Sequence, residues 1–112
     1  MPDTVLLCYC TCPDADSARR IAEVLVAERL AACVNRLSGI ASTFRWQGEV
    51  TTEAEHLLLI KTTAARFEAL RSRLLALHPY DLPELIAVPV GHAHEPYLAW
   101  VREATAGAPQ DC

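Results

Sequence analysis

The sequence predicts an α+β domain with elements in the order β-α-β-β-α-β and one extra helix at the C-terminal end. Three observations carry this. Short apolar runs alternate with stretches of helical spacing, a two-residue turn signal sits inside a long run of strand formers, and prolines mark several segment borders. The 112 residues suit a single domain over 1–112, large enough to bury roughly two-thirds of its unfolded surface.

"TVLLCYCT", from Thr4 to Thr11, is apolar, rich in strand formers and bounded by Pro2 and Pro13, which reads as a buried strand. Asp14 and Asp16 favour a helix start through capping and the macrodipole. Ala18, Ile21, Ala22 and Leu25 follow at helical spacing, so a helix is expected from Asp14 to about Leu30. The period then changes to two. Ile40, Ser42, Phe44 and Trp46 share one strand face, with Gly39 as a bulge or bend. Gln47-Gly48 serves as a tight turn, with Gln weaker than Asn or Asp in first place. The return strand puts His56, Leu58 and Ile60 on one face and Leu57 and Leu59 on the other, completing a long hairpin over roughly Cys33 to Thr62.

From Thr63 a helical stripe of Phe67, Leu70, Leu74 and Leu77 runs up to Pro79, which disfavours helical geometry in the residue before it. "LPELIAVPV" alternates Leu85, Ala87 and Pro89 against Glu84, Ile86 and Val88, a short strand whose prolines confine it to few ladder bonds. Pro96 opens the last helix, with Tyr97, Trp100, Val101 and Ala104 along one side. Residues 106–112 read as a tail. This order is the split βαβ arrangement, and right-handed crossovers set the first strand between the third and fourth, antiparallel to both.

The formal net charge is −4 and the arginines form no basic stripe, so nucleic-acid binding is disfavoured. No apolar run approaches the ~20 residues that span a bilayer, and no basic region precedes the apolar start, so a cytoplasmic protein with no membrane partner is expected. Five cysteines cannot all pair internally, and Cys8, Cys10 and Cys12 alternate as reduced thiols on a strand would.

Three of the four histidines lie in "HPYDLPELIAVPVGHAHEPY". They do not make one site, because the strand between them rises about 20 Å from Leu82 to Val88. Antiparallel pairing instead sets His78 and Tyr80 beside Cys10 and Cys12, while His92 and His94 fall at the other end of the sheet. Thiolate with imidazole suits copper or zinc. The plainer alternative is that Cys10 packs in the core and His78 ends its helix. Cys12 is a third candidate ligand. Alternate residues of a flat strand stand about 6.6 Å apart, whereas two sulfurs on one zinc lie within about 4 Å of one another. The strand would have to bend near Pro13 to bring both in.

Other constellations are slighter. "GHAHE" offers His92, His94 and Glu95 for a surface ion or forms an ordinary loop before the helix. A Cys10/His78 nucleophile pair lacks an orienting third group and an oxyanion loop, and no HExxH, CxxC or Gly-rich phosphate loop is present, so no enzyme is expected. Trp46 packs or floors a small-ligand site, and Lys61, the only lysine, is a surface group or an anion-binding one.

The segments "CTCPD", "ERLAACVN", "FRWQGEV", "LIKTT", "HPYDLPELIAVPV" and "YLAW", collinear from about Cys10 to Trp100, resemble the CutA divalent-ion tolerance family. The resemblance implies a ferredoxin-like fold in a tight homotrimer, similar in architecture to PII signalling proteins, with the long hairpin reaching a neighbouring subunit. It also implies copper or another divalent cation, bound by the cysteine ending the first strand and by histidine before Pro-Tyr. These match Cys10 and His78; where some members carry a second histidine this chain has Leu77, and Cys12 could compensate. Animal members are associated with acetylcholinesterase anchoring, which nothing in these residues supports. Three functions are consistent with this reading. One is a trimeric divalent-cation (copper) binding and tolerance protein. The second is a PII-like sensor taking a small anion or metabolite in inter-subunit clefts lined by Trp46, Lys61 and Tyr80. The third is a scaffold acting through an unknown protein partner.

Overall fold

The computed structural model describes residues 1–107; the rest of the expected tail, Cys112 included, lies outside the described residues. The elements are β1 (Val5–Cys12), α1 (Ala15–Ala27), β2 (Cys33–Trp46), β3 (Glu49–Thr63), α2 (Ala64–Leu77), β4 (Ile86–Pro89) and α3 (Glu95–Thr105). One four-stranded antiparallel sheet has the order β2-β3-β1-β4. The first strand thus sits between the third and fourth, as the crossover rule requires.

Asp14 caps α1, its carboxylate accepting from the Ser17 N–H at 2.8 Å. That bond holds the Asp14 carboxyl below the usual carboxylate range. Ser17, Ala18, Ile21, Ala22 and Leu25 face inward at helical spacing. The helix ends three residues before the expected Leu30. Arg29 takes a left-handed conformation (φ 59°), and the amides of Leu30 and Ala31 fold back onto the Leu25 carbonyl. Leu30 is then turned into the core instead of continuing the stripe. Arg73 of α2 donates two hydrogen bonds to Glu28, at 2.9 and 3.0 Å, clamping the two helices side by side.

The helices α1 and α2 cover the face of the sheet that carries Cys8, Cys10, Cys12, Leu58 and Ile60. Ile21, Leu25, Leu70 and Leu74 complete this core, and Phe67 and Leu77 of the expected α2 stripe are partly buried at its margin. Each fully buried side chain of this kind stabilises the fold by roughly 1.5–3 kcal/mol. On the second face, α3 packs Leu98 and Val101 over Val5 and Ala32. Of the expected α3 stripe, Val101 and Ala104 do pack inward, with Leu98 and Thr105, whereas Tyr97 and Trp100 are corrected: they face outward with ring centroids 5.6 Å apart. Both sets recur at helical spacing. Docking against the start of β1, at Val5, selects the smaller side chains.

The hairpin is the longest feature. Its ladder runs from Cys33↔Lys61 to Trp46↔Glu49 and slips by one residue between Leu37 and Ile40, where Gly39 has φ 81°. The bulge carries Ile40, Phe44 and Trp46 onto the face of Leu37 and Leu57, opposite the helices. At the tip, Gln47 and Gly48 both have positive φ, 52° and 84°. A side chain costs about 1–2 kcal/mol in that region, and Asn tolerates it better than Gln. Gln47→Asn is therefore expected to raise the denaturant midpoint with no change in its slope, as chemical unfolding would show. β4 is shorter than the alternating run suggested. Only Ile86 to Pro89 pair with β1, because Pro83 stands just ahead and Pro89 can contribute no N–H.

Candidate metal centre

The end of β1 and the end of α2 meet at one corner of the sheet. Cys10 and Cys12 point to the helix-covered face, opposite Leu58 and His56 of β3. Pro79 halts α2 at Leu77, and the His78 amide closes the last turn on the Leu74 carbonyl. This leaves the imidazole over β1, where Nε2 lies 2.8 Å from the Thr11 carbonyl. A carbonyl only accepts, so Nε2 carries the proton. The Tyr80 N–H donates to Nδ1 at 3.1 Å. Sequence spacing alone left Cys12 in doubt. Side chains that start about 6.6 Å apart along a strand lean together here. The ligand atoms of Cys10, Cys12 and His78 all lie within 4.8 Å of one another.

All three residues are buried: the cysteines show 0% exposure and His78 shows 7%. Among the described residues this is the one group of three or more His, Cys, Asp or Glu close enough to hold an ion. His92 and His94 fall beyond β4, whose end pairs with Leu6, so the three sequential histidines do form two separate places.

The two thiols are driven apart in acidity. Hydrogen bonding from Cys10 lowers Cys12 to a pKa of about 6 against the cost of burial, with His78 and Ser17 assisting. Cys10 is pushed far up by the same hydrogen bond, by burial and by the Cys12 charge. For His78, burial opposes protonation, but the Cys12 sulfur and the Thr11 carbonyl outweigh it and raise the pKa. Cys8, one alternation back, is raised to about 11 by burial alone and behaves as a core thiol.

Two neighbours escaped the sequence reading. Glu55, only 6% exposed, accepts from the Tyr80 hydroxyl at 2.6 Å. It is the first β3 residue beyond the β1 pairing, so its carboxylate closes the open end of the corner. In the sequence it is one of three glutamates in "GEVTTEAE", and only the tertiary placement of Tyr80 distinguishes it. Burial and the Glu55 bond push the Tyr80 phenol well above its usual value. The Thr11 carbonyl is the other, and a backbone group leaves no sequence signal.

The residues of the alternative cleft do not meet within one chain. Trp46 is at the hairpin tip, and Lys61 is near the far end of β3, bonded to Asn35 and 3.8 Å from the Cys33 sulfur. Tyr80 belongs to the thiol corner. A separate concavity of about 420 Å³ between α1 and β2, lined by Ala15, Val34, Arg36 and His56, contains none of the three.

The family model for the CutA1 divalent ion tolerance protein matches residues 6–104. The chain is 50% identical over 105 residues to the divalent-cation tolerance protein CutA of Thermus thermophilus, covering 94% of this chain and 99% of that one. It is 40% identical over 105 residues to human Protein CutA, where it spans 59% of the relative's length. The crystal structure of CutA from Xylella fastidiosa superposes with a TM-score of 0.89 at 52% identity, covering 91% of this chain and 98% of that one. Its relatives share both sequence and the mixed sheet-and-helix architecture, and the chain belongs to the CutA1 divalent ion tolerance protein family.

Proposed function

We propose that this protein serves metal tolerance by binding a cation, copper or a divalent ion of similar chemistry, in the pocket formed by Cys10, Cys12 and His78. The carrying observation is the convergence of those three ligand atoms within 4.8 Å in a water-poor corner. Two sulfurs and an imidazole are soft to borderline donors, which suits copper or zinc and disfavours magnesium or calcium. Cys12 is already inclined to the thiolate that such an ion needs. Family membership supports the tolerance role.

The test is metal content of protein purified without an affinity tag from copper- and zinc-supplemented medium, followed by chelator-competed titration. The wild type is expected to bind in the micromolar range or tighter, and Cys10→Ser/Cys12→Ser to lose roughly 100-fold or more in affinity. Unchanged binding in that variant would discard the site. Binding must weaken as pH falls. The ion competes with protons for both sulfurs and for His78, whose raised pKa adds to the competition, and the loss of affinity steepens below about 6, where Cys12 is protonated as well.

We further propose that the protein works as a homotrimer in the cytoplasm. The sheet face opposite α1 and α2 presents Leu7, Tyr9, Leu57, Leu59, Ile86 and Val88, and α3 covers only its Val5 end. Ile86 and Val88 stay 56% and 47% exposed, a surface that self-association would bury. The described cysteines are all free, as a reducing compartment would leave them.

A further inference from the structure

We infer that the groove between α1 and β2 is a second binding site, one that takes the phosphate of a small, polar phosphomonoester through Arg36, His56 and Ser38. None of these residues is a ligand at the thiol corner, so the inference stands apart from the metal-binding proposal.

The groove exists because the apolar floor under α1 gives out toward the edge of the sheet. On the helix-covered face, β2 presents Val34, which packs against the core, and then Arg36, opposite Leu58. His56 stands on the same face of β3, opposite Cys12. β2 is the outermost strand, so no further strand of the chain closes this side. Ala15 and Ala18 of α1 form the facing wall, and their small side chains leave about 420 Å³ open above Val34, Arg36, Ser38 and His56.

The donors in this groove have nothing within the chain to bind. Most arginines are held in ion pairs or donate to backbone carbonyls. Among the described residues only Arg36 and Arg45 have no such partner, and Arg45 lies at the hairpin tip, away from the groove. The His56 ring and the Ser38 hydroxyl likewise make no hydrogen bond among the described residues. The two acids near the mouth are already engaged. Asp14 accepts from the Ser17 N–H at 2.8 Å, and Asp16 pairs with Arg19 at 3.3 Å. A planar guanidinium beside an imidazole and a hydroxyl is a donor set that matches the oxygens of a phosphate.

The dimensions choose between a bare ion and a larger molecule. One water occupies about 30 Å³ of liquid, so the groove has room for the equivalent of about a dozen, far more than inorganic phosphate fills. No Phe, Trp or Tyr lines it, which leaves no flat apolar surface for a nucleobase. A sugar-sized polar body carrying one phosphate fits both the space and the lining.

The experiment follows the amide chemical shifts of the isotope-labelled full chain during titration with ribose 5-phosphate, ribose and inorganic phosphate. Ribose 5-phosphate should give saturable shifts centred on Ala15, Val34, Arg36, Ser38 and His56, and should bind at least ~10-fold more tightly than inorganic phosphate. Ribose should give none. Arg36 is exposed, so Arg36→Gln should leave the fold intact while weakening ribose 5-phosphate roughly 10-fold or more, the cost of a lost hydrogen bond to a charged group. Arg45→Gln removes the same charge from the same strand and should bind as the wild type does. Absent or unsaturable shifts, shifts centred outside the groove, inorganic phosphate bound as tightly as the sugar phosphate, or equal losses in the two variants would each overturn the inference. The shift map of the wild type decides it without any variant.

Discussion

Leu58→Ala is expected to lower the thermal midpoint by about 10–20 °C, from a loss of roughly 2–5 kcal/mol. Leu58 is fully buried in the middle of β3, paired with Cys10 on one side and Arg36 on the other. Its side chain fills the space between the thiol row and α1 with α2, so truncation leaves a cavity that neither the ladder nor the helix clamp can close. A single domain is stable by only about 5–15 kcal/mol, so this one change removes a large share. Leu82→Ala, at a site 73% exposed, is the matched control and should shift the midpoint little. Differential scanning calorimetry at equal protein concentration reads both. Equal midpoints would mean that the β3 row is not the centre of the core.

Ile86→Glu/Val88→Glu should convert the proposed homotrimer to single chains, as analytical ultracentrifugation would show by mass. Both side chains lie on the uncovered face of β4, beside Tyr9 and Leu7, and are about half exposed within one chain. Carboxylates there remain solvated in an isolated subunit but would be stranded without partners in a subunit interface. The variant's secondary structure should therefore match the wild type while its mass falls. A wild type that sediments as one chain, or a variant of unchanged mass, would remove the argument for association through this face.

These two substitutions fall on opposite faces of the same sheet, and the division between the faces was largely legible from residue order. Alternation along "EHLLLIK" assigns Leu58 and Ile60 to one side and Leu57 and Leu59 to the other. Gly39 announced the bulge, and Gln47-Gly48 the turn. Tyr97 and Trp100 were placed with Val101 on the inner side of α3 because they share its helical spacing, and only the neighbour at the start of β1, Val5, shows that Leu98 takes that side instead. The end of α1 was placed too late because nothing in "ERL" signals that Arg29 adopts a left-handed backbone.

The sequence by itself determined the element order, the central place of the first strand and the meeting of His78 with Cys10. Each follows from periodicity, proline positions and the handedness of crossovers, which are local or topological constraints. Only the tertiary structure decided that the Cys12 sulfur leans toward Cys10, that both His78 nitrogens are bonded to backbone, and that Glu55 holds Tyr80. Those outcomes depend on side-chain directions and on backbone groups from distant segments, set to within an ångström or two by packing, and no spacing in the chain encodes them.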